Sequence, residues 1–130
     1  DESPVMIDNL RRSVDPDIRR GIKIIKTLDI ATLADFEQCK SFEGHADLLC
    51  FRIKREGQNQ EVASWNETLL TAYHGELPFI LSGNIGLNDV EALQTIRCSK
   101  CVGIEINHAF ELTPGVKDIQ GINRFISLIE

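Results

Sequence analysis

Four short apolar runs rich in Ile, Leu, Val and Phe recur along the chain, and amphipathic segments separate them. Continuous apolar runs of this length are typical of strands that are buried on both faces of a sheet. The pattern therefore predicts four β-strands, at residues 21–30, 46–53, 78–82 and 101–107.

The segments around these runs carry helix-start signals. Ser3 followed by Pro4 predicts a first helix to about Ser13, with Met6, Ile7 and Leu10 facing inward. The pairs Ser64/Glu67 and Asn88/Glu91 predict capped helices over 65–74 and up to about residue 97. Thr32 and Asp118 would cap helices over 32–40 and at the chain's end, and 55–63 reads as a polar loop.

Strands and helices thus alternate in the order α-βα-βα-βα-βα. Alternating βα units with continuous apolar strands predict an α/β fold with a parallel sheet covered by helices. The 130 residues suffice for one domain, over 1–130.

Composition narrows the classes of function. The net charge is −6 and basic residues form no long run, which argues against nucleic acid and anionic membranes as partners. No apolar stretch approaches the roughly 20 residues of a membrane span, and the N-terminus does not resemble a signal peptide. The four cysteines, 39, 50, 98 and 101, are expected to be reduced thiols in the cytoplasm.

Ligands of parallel α/β folds bind at the carboxyl ends of the strands. Of the segments there (27–29, 52–54, 82–86 and 107–109), SGNIG at 82–86 stands out, because a Gly-rich turn before a helix exposes backbone N–H groups that suit an anion. Such turns also arise simply because the chain must reverse.

Four stretches of the chain are informative together: GIKIIK, ADLLCFRIK, PFILSGNIGLNDVEAL and VGIEINHAFELTPGVKD. They resemble one known family, phosphoribosylanthranilate isomerase of tryptophan biosynthesis. The resemblance implies half of a (β/α)8 TIM barrel, its strands five to eight, and a chain that begins after the fourth strand. It implies an Amadori rearrangement without a cofactor. A carboxylic acid ending strand six and a cysteine ending strand one would transfer protons, and amides after strands seven and eight would hold phosphate.

The resemblance places phosphate at Gly83, Asn84, Asn107, His108 and Ala109, and substrate at Glu105. Several positions depart from the family pattern. Arg52 stands at the position of the general acid, and a guanidinium does not donate its proton usefully near neutral pH. Asn84 replaces a Gly, Glu105 an Asp and His108 a Ser, and none of the four cysteines occupies the base position. Asp47 cannot replace the acid, because it starts the strand.

Several residues keep two interpretations. Arg52 could bind an anionic ligand or extend into solvent. Gly83 and Asn84 could hold phosphate or only form a turn, and His108 could be an acid/base or a loop residue. Cys98 and Cys101 form a lone CxxC without further metal ligands, so neither metal nor redox chemistry is expected. Trp65 reads as a packed helix residue.

The sequence therefore predicts a phosphoribosylanthranilate isomerase-like half-barrel, truncated and catalytically impaired as a lone chain. The alternative is a non-catalytic half-barrel that binds a phosphorylated ligand or a partner chain. Two exposed sheet edges and one uncovered apolar face would favour a homo-oligomer or a complementary half-barrel.

Overall fold

A computed structural model describes residues 2–30, 33–53, 73–83, 85–94, 96 and 99–129. That description excludes the predicted loop 55–63, nearly all of the helix predicted at 65–74, and residues 84, 97 and 98. It also excludes the side chains of residues 19, 33, 53 and 108. Among the described residues, no helix is long and apolar enough to cross a membrane.

The four predicted strands form one parallel sheet in the order β1-β2-β3-β4, which confirms the predicted topology. The strands are shorter than the apolar runs that predicted them: β1 Ile25–Ile30, β2 Leu48–Ile53, β3 Phe79–Ser82 and β4 Cys101–Ile104. A parallel sheet without crossed connections is the usual outcome of consecutive βα units.

Helices flank the strands. They are α1 (Pro4–Ser13), α2 (Pro16–Arg19), a 3-10 helix (Leu33–Phe42), a 3-10 turn (Leu87–Asp89) that leads into α3 (Val90–Gln94), a 3-10 turn (His108–Phe110) and α4 (Ile119–Ile129). A two-stranded antiparallel hairpin that the sequence did not predict, β5 (Glu111–Thr113) with β6 (Val116–Lys117), lies between the last turn and α4.

The core lies on one face of the sheet, where the side chains of Leu49, Phe51, Phe79 and Leu81 are buried completely. Phe51 stacks on Phe79 with ring centroids 4.6 Å apart, and the ring of Tyr73 meets both edge-on. Because side chains alternate along a strand, the residues between these point to the opposite face.

The opposite face, called here the open face, carries both apolar and polar side chains. Ile25 is half exposed, and Leu48 and Ile80 are partly buried, so the strand starts are apolar. Towards the strand ends the same face becomes polar, with Asp29, Arg52, Ser82 and Glu105. The predicted apolar face is therefore apolar at the strand starts and polar at the strand ends.

The segment predicted as a helix over 32–40 is a 3-10 helix that extends to Phe42. Its buried residues, Phe36, Cys39 and Phe42, are spaced three apart. That spacing matches the three residues per turn of a 3-10 helix, in which positions i and i+3 lie directly above one another.

The first helix starts as predicted, with the Ser3 side chain accepting a hydrogen bond from the Met6 N–H at 3.2 Å. Its inward face was predicted wrongly: Ile7 is buried, but Met6 and Leu10 are 54% and 55% exposed. The helix is held to the sheet chiefly through Ile7 and through the polar contacts of Arg11, so its other apolar side chains stay at the surface.

Asp47 lies just before β2, at the start of the strand as predicted, and connects α1 to the sheet. Its carboxylate accepts hydrogen bonds from the Ile24 N–H at 2.7 Å and from Arg11 Nη2 at 2.8 Å, while Arg11 also donates to the His45 carbonyl. These contacts join α1 to the amino ends of β1 and β2, at the opposite end of the sheet from the ligand-binding end.

The predicted cap of the helix after β3 was also wrong. Neither Asn88 nor Glu91 starts it; instead the N–H of Gly86 donates to Asp89 Oδ2 at 2.8 Å, so the cap lies two residues earlier than predicted. At the last helix the prediction is confirmed, because Asp118 Oδ1 accepts from the Gly121 N–H at 3.0 Å.

Candidate functional site

Four polar side chains from four successive strands meet at the carboxyl ends of the sheet. Asp29 pairs in register with Arg52, and Arg52 with Ser82. Ser82 Oγ donates to Glu105 Oε1 at 3.2 Å. We call these four residues the strand-end row. Sequence analysis assigned roles to Arg52 and Glu105 but none to Asp29 or Ser82, although both lie in segments picked out as strand ends.

Arg52 is held by a charged neighbour. Its Nε donates to Asp29 Oδ1 at 2.5 Å, while 56% of its side chain is exposed. The hydrogen bond with Asp29, and then its charge, raise the pKa of Arg52 further above its already high ordinary value. Arg52 therefore stays a cation at any physiological pH and cannot supply a proton. The row thus places the carboxyl groups of Asp29 and Glu105 on either side of the Arg52 guanidinium.

Cys50 lies one layer below the row, on the same face and buried. Burial is the main reason that the pKa of the Cys50 thiol is raised, and the charge of Glu105 raises it further, although hydrogen bonds with Thr27 and Ser82 oppose the shift. A raised pKa keeps the sulfur protonated at neutral pH, so Cys50 is a poor nucleophile and a poor base.

The other cysteines that the structure describes are Cys39 and Cys101. Burial raises the pKa of Cys39 to about 11. Cys101 is partly buried at the start of β4, and Cys98 lies outside the described residues. Within the described part of the chain, no group of three or more His, Cys, Asp or Glu side chains could hold a metal ion.

The turn after β3 begins with Gly83, whose φ of +122° is a conformation that L side chains rarely adopt. Ile85 in the same turn is fully buried and anchors it. Asn84, a predicted phosphate residue, lies outside the described residues. The sequence pattern SGNIG thus corresponds to a turn that requires glycine at its first position.

The turn after β4 lies directly against the turn after β3. A Cβ added to Gly86 would lie 3.0 Å from the Cβ of Ala109. The first bond of the 3-10 turn runs from the Phe110 N–H to the Asn107 carbonyl at 3.0 Å, so the amides of residues 108 and 109 precede it. The structure therefore places Gly86, three residues after Gly83, against Ala109, two residues after Asn107. The side chain of His108 lies outside the description.

A lysine that sequence analysis did not single out supports this turn. Lys117 Nζ donates to Glu111 Oε1 at 2.7 Å and to Asn107 Oδ1. Phe110 is buried and packs edge-on against Phe125, with ring centroids 5.2 Å apart. The family-like stretch 102–118 contains Lys117, but its role depends on the hairpin β5–β6, which the apolar pattern did not reveal.

A groove of about 650 Å³ runs along the free edge of β1. Glu2, Ser3, Gln38 and Phe42 line it together with β1 and Arg52. Inside it, the buried ammonium of Lys26 lies 3.3 Å from Glu2 Oε2 and 5.4 Å from the centre of the Phe42 ring.

Comparison with curated proteins finds relatives named N-(5'-phosphoribosyl)anthranilate isomerase. The protein of Parabacteroides distasonis is 39% identical over 111 residues, which are 85% of this chain and 50% of the relative. That of Phocaeicola vulgatus is 29% identical over 110 residues, 85% of this chain and 54% of the relative. The chain thus spans about half the length of the curated relatives it matches. No protein-family model matches the chain.

Solved structures agree on the fold. One is a monomer of the dimeric phosphoribosylanthranilate isomerase from Thermotoga maritima, with a TM-score of 0.62, 20% identity, and coverage of 99% of this chain and 68% of that one. Another is a phosphoribosyl anthranilate isomerase in complex with reduced 1-(o-carboxyphenylamino)-1-deoxyribulose 5-phosphate, with a TM-score of 0.60, 17% identity, and coverage of 99% and 67%. The described sheet is half of such a TIM barrel.

Proposed function

Because the chain belongs to the phosphoribosylanthranilate isomerase family, we propose that it is the carboxyl-terminal half-barrel of such a protein, comprising strands five to eight. It acts in tryptophan biosynthesis, in the cytoplasm, on a phosphorylated small molecule and without a cofactor. The proposal rests chiefly on the 39% identity with the Parabacteroides relative, whose name supplies the reaction class.

The phosphate group of the ligand sits between the turns after β3 and β4, against the backbones of Gly83, Asn84, Asn107, His108 and Ala109. The close approach of Gly86 and Ala109 supports this placement, because it joins two turns at the carboxyl ends of neighbouring strands. Glu105 is the substrate contact beside them, and its Ser82 partner keeps its carboxylate at the strand end.

The Amadori rearrangement requires an acid that protonates the ribose ring oxygen and a base that removes the proton from C2. Arg52 occupies the acid position, and its ion pair with Asp29 keeps it charged. Each proton-transfer group typically contributes roughly 10²–10⁴-fold to rate. The 130-residue chain alone therefore turns over its substrate very slowly.

The test is turnover of N-(5'-phosphoribosyl)anthranilate by the purified chain, with the Parabacteroides distasonis relative as the positive control. We expect no measurable rate for the wild type and none for Arg52→Asp, because the base remains absent. A rate on the order of 1–10³ s⁻¹ for the wild type would refute the proposal of impaired catalysis.

A second candidate is a non-catalytic half-barrel that binds a phosphorylated ligand or a partner chain. Two observations favour it: the Asp29–Arg52 ion pair at the acid position, and the half-exposed Ile25 and exposed Val102 on the edge strands β1 and β4. Its partner is a second copy or a complementary half-barrel, either of which would pair with both edges. Retained binding of inorganic phosphate without turnover would favour this candidate.

A further inference from the structure

Three polar side chains form a connected group behind the turn after β4. Lys117 Nζ donates both to Glu111 Oε1, at 2.7 Å, and to Asn107 Oδ1. Glu111 also accepts from the Gly115 N–H at 3.4 Å through its other oxygen, so its carboxylate is fixed within the hairpin β5–β6. The lysine thus connects the hairpin to the residue that opens the turn.

This contact sets the orientation of the Asn107 amide. Lysine has three donors and no acceptor, so only the oxygen of a neighbouring amide can face it. The Nδ2 group of Asn107 must then point away from the ammonium. In the described part of the chain no acceptor is bonded to Nδ2, and Asn107 is exposed at the end of the sheet where ligands bind.

We propose that Lys117 is a positioning residue that directs the side-chain N–H2 of Asn107 towards an oxyanion bound at the turn after β4. This inference rests on the proposed function, which places a phosphate group at that turn, and adds a side-chain donor to its backbone amides. A donor to a charged oxygen forms a stronger hydrogen bond than a neutral pair does.

Asn107→Asp separates this role from a purely structural one. An aspartate keeps an oxygen acceptor for Lys117 and strengthens the contact by its charge, but it removes the N–H2 donor and repels an anion. We therefore expect the unfolding midpoint to stay the same or to rise, whereas affinity for inorganic phosphate falls about tenfold or more. A structural role alone would leave phosphate affinity unchanged in this variant.

Two lysine variants and a control complete the set. Lys117→Met frees the amide of Asn107 to rotate, so phosphate affinity falls severalfold, and Lys117→Arg, which can still donate to Oδ1, recovers most of it. The matched control is Lys100→Met, which removes the same charge from a lysine whose Nζ bonds the Glu76 carbonyl at 3.0 Å, near the start of β4. The control should bind phosphate as the wild type does.

Binding is measured by titrating inorganic phosphate into the full chain and following the amide signals of Gly83 and Ala109. If these signals do not respond in the wild type, the phosphate site of the proposed function is wrong, and this inference is wrong with it. If they respond in the wild type and Asn107→Asp binds equally well, only the inference is overturned. Equal affinity of wild type and Lys117→Met would also overturn it, should the aspartate variant not fold.

Discussion

The contact between the two turns of the candidate site can be tested by filling the space between them. Gly86 has extended backbone angles that alanine also adopts, so Gly86→Ala introduces no backbone strain. Its new Cβ would lie 3.0 Å from the Cβ of Ala109, whereas carbon atoms prefer a separation of about 3.5–4.0 Å. The turns must therefore separate by roughly half an ångström or more.

The turn after β4 resists that displacement. Phe110 is 2% exposed, and its carbonyl accepts a hydrogen bond from the Asp118 N–H at 2.6 Å. Overpacking of this kind costs about 1–3 kcal/mol. Because Ala109 itself is exposed and can yield in part, we expect the lower half of that range, about 1–2 kcal/mol, together with weaker phosphate binding.

Urea unfolding of the single and double variants measures the effect. Ala109→Gly removes the opposing Cβ, so the double variant Gly86→Ala/Ala109→Gly should recover about 1 kcal/mol relative to the sum of the two single changes. The control is Gly21→Ala, whose Cβ would meet only the Ile18 carbonyl oxygen at 3.8 Å. A Gly86→Ala variant as stable as the wild type, or additive effects in the double variant, would show that the two turns do not touch.

Three further predictions concern the rest of the molecule. Asp47→Ala leaves the Ile24 amide without its acceptor and removes the carboxylate that pairs with Arg11, which keeps the His45 carbonyl. The free energy of unfolding should therefore fall by about 2 kcal/mol, against less than about 0.5 kcal/mol for the exposed control Asp17→Ala. Burial raises the pKa of Asp47, but the hydrogen bonds from Ile24 and Arg11 outweigh it and hold that pKa below the ordinary 3.8. The contribution of Asp47 to stability should therefore be complete above about pH 5 and be lost progressively as the pH falls below that, in unfolding experiments on wild type and Asp47→Ala. Sedimentation at micromolar concentration should detect self-association through the free edges of β1 and β4, and a monomer whose edge-strand amides are protected from exchange would contradict that prediction.

The strands and their order were predictable because each strand is marked by its own run of apolar residues and the same βα pattern is repeated along the chain. Each apolar run is continuous, and parallel order follows from the βα alternation. The lengths were overestimated because apolar residues continue past the last ladder hydrogen bond, as Ile106 does after β4. The 3-10 helix was predictable in principle, because Phe36, Cys39 and Phe42 repeat every three residues rather than at the mixed three-and-four spacing of an α-helix.

Other features depend on contacts that no local pattern encodes. Met6 and Leu10 fit the inward face of a helix, but which apolar side chains become buried depends on where the helix docks, and that is set by Arg11 at the Asp47 end of the sheet. The hairpin β5–β6 is short and mostly exposed, so it lacks an alternating apolar pattern. Lys117 acquires its role only through that hairpin.

Arg52 shows how register changes the interpretation of a substituted site. Considered alone, a guanidinium in place of an acid is a lost catalytic group. In the sheet, Arg52 pairs with Asp29 on one side and with Ser82 on the other. Ser82 in turn donates a hydrogen bond to Glu105. A carboxylate therefore remains on each side of the former acid position, but the nearer one is already neutralised by Arg52. The row keeps its polarity and hydrogen bonding, while Arg52, whose pKa is raised by Asp29, does not donate its proton near neutral pH. Family membership thus accounts for the scaffold, whereas the chemistry at the strand ends depends on Asp29, Arg52 and Glu105 themselves.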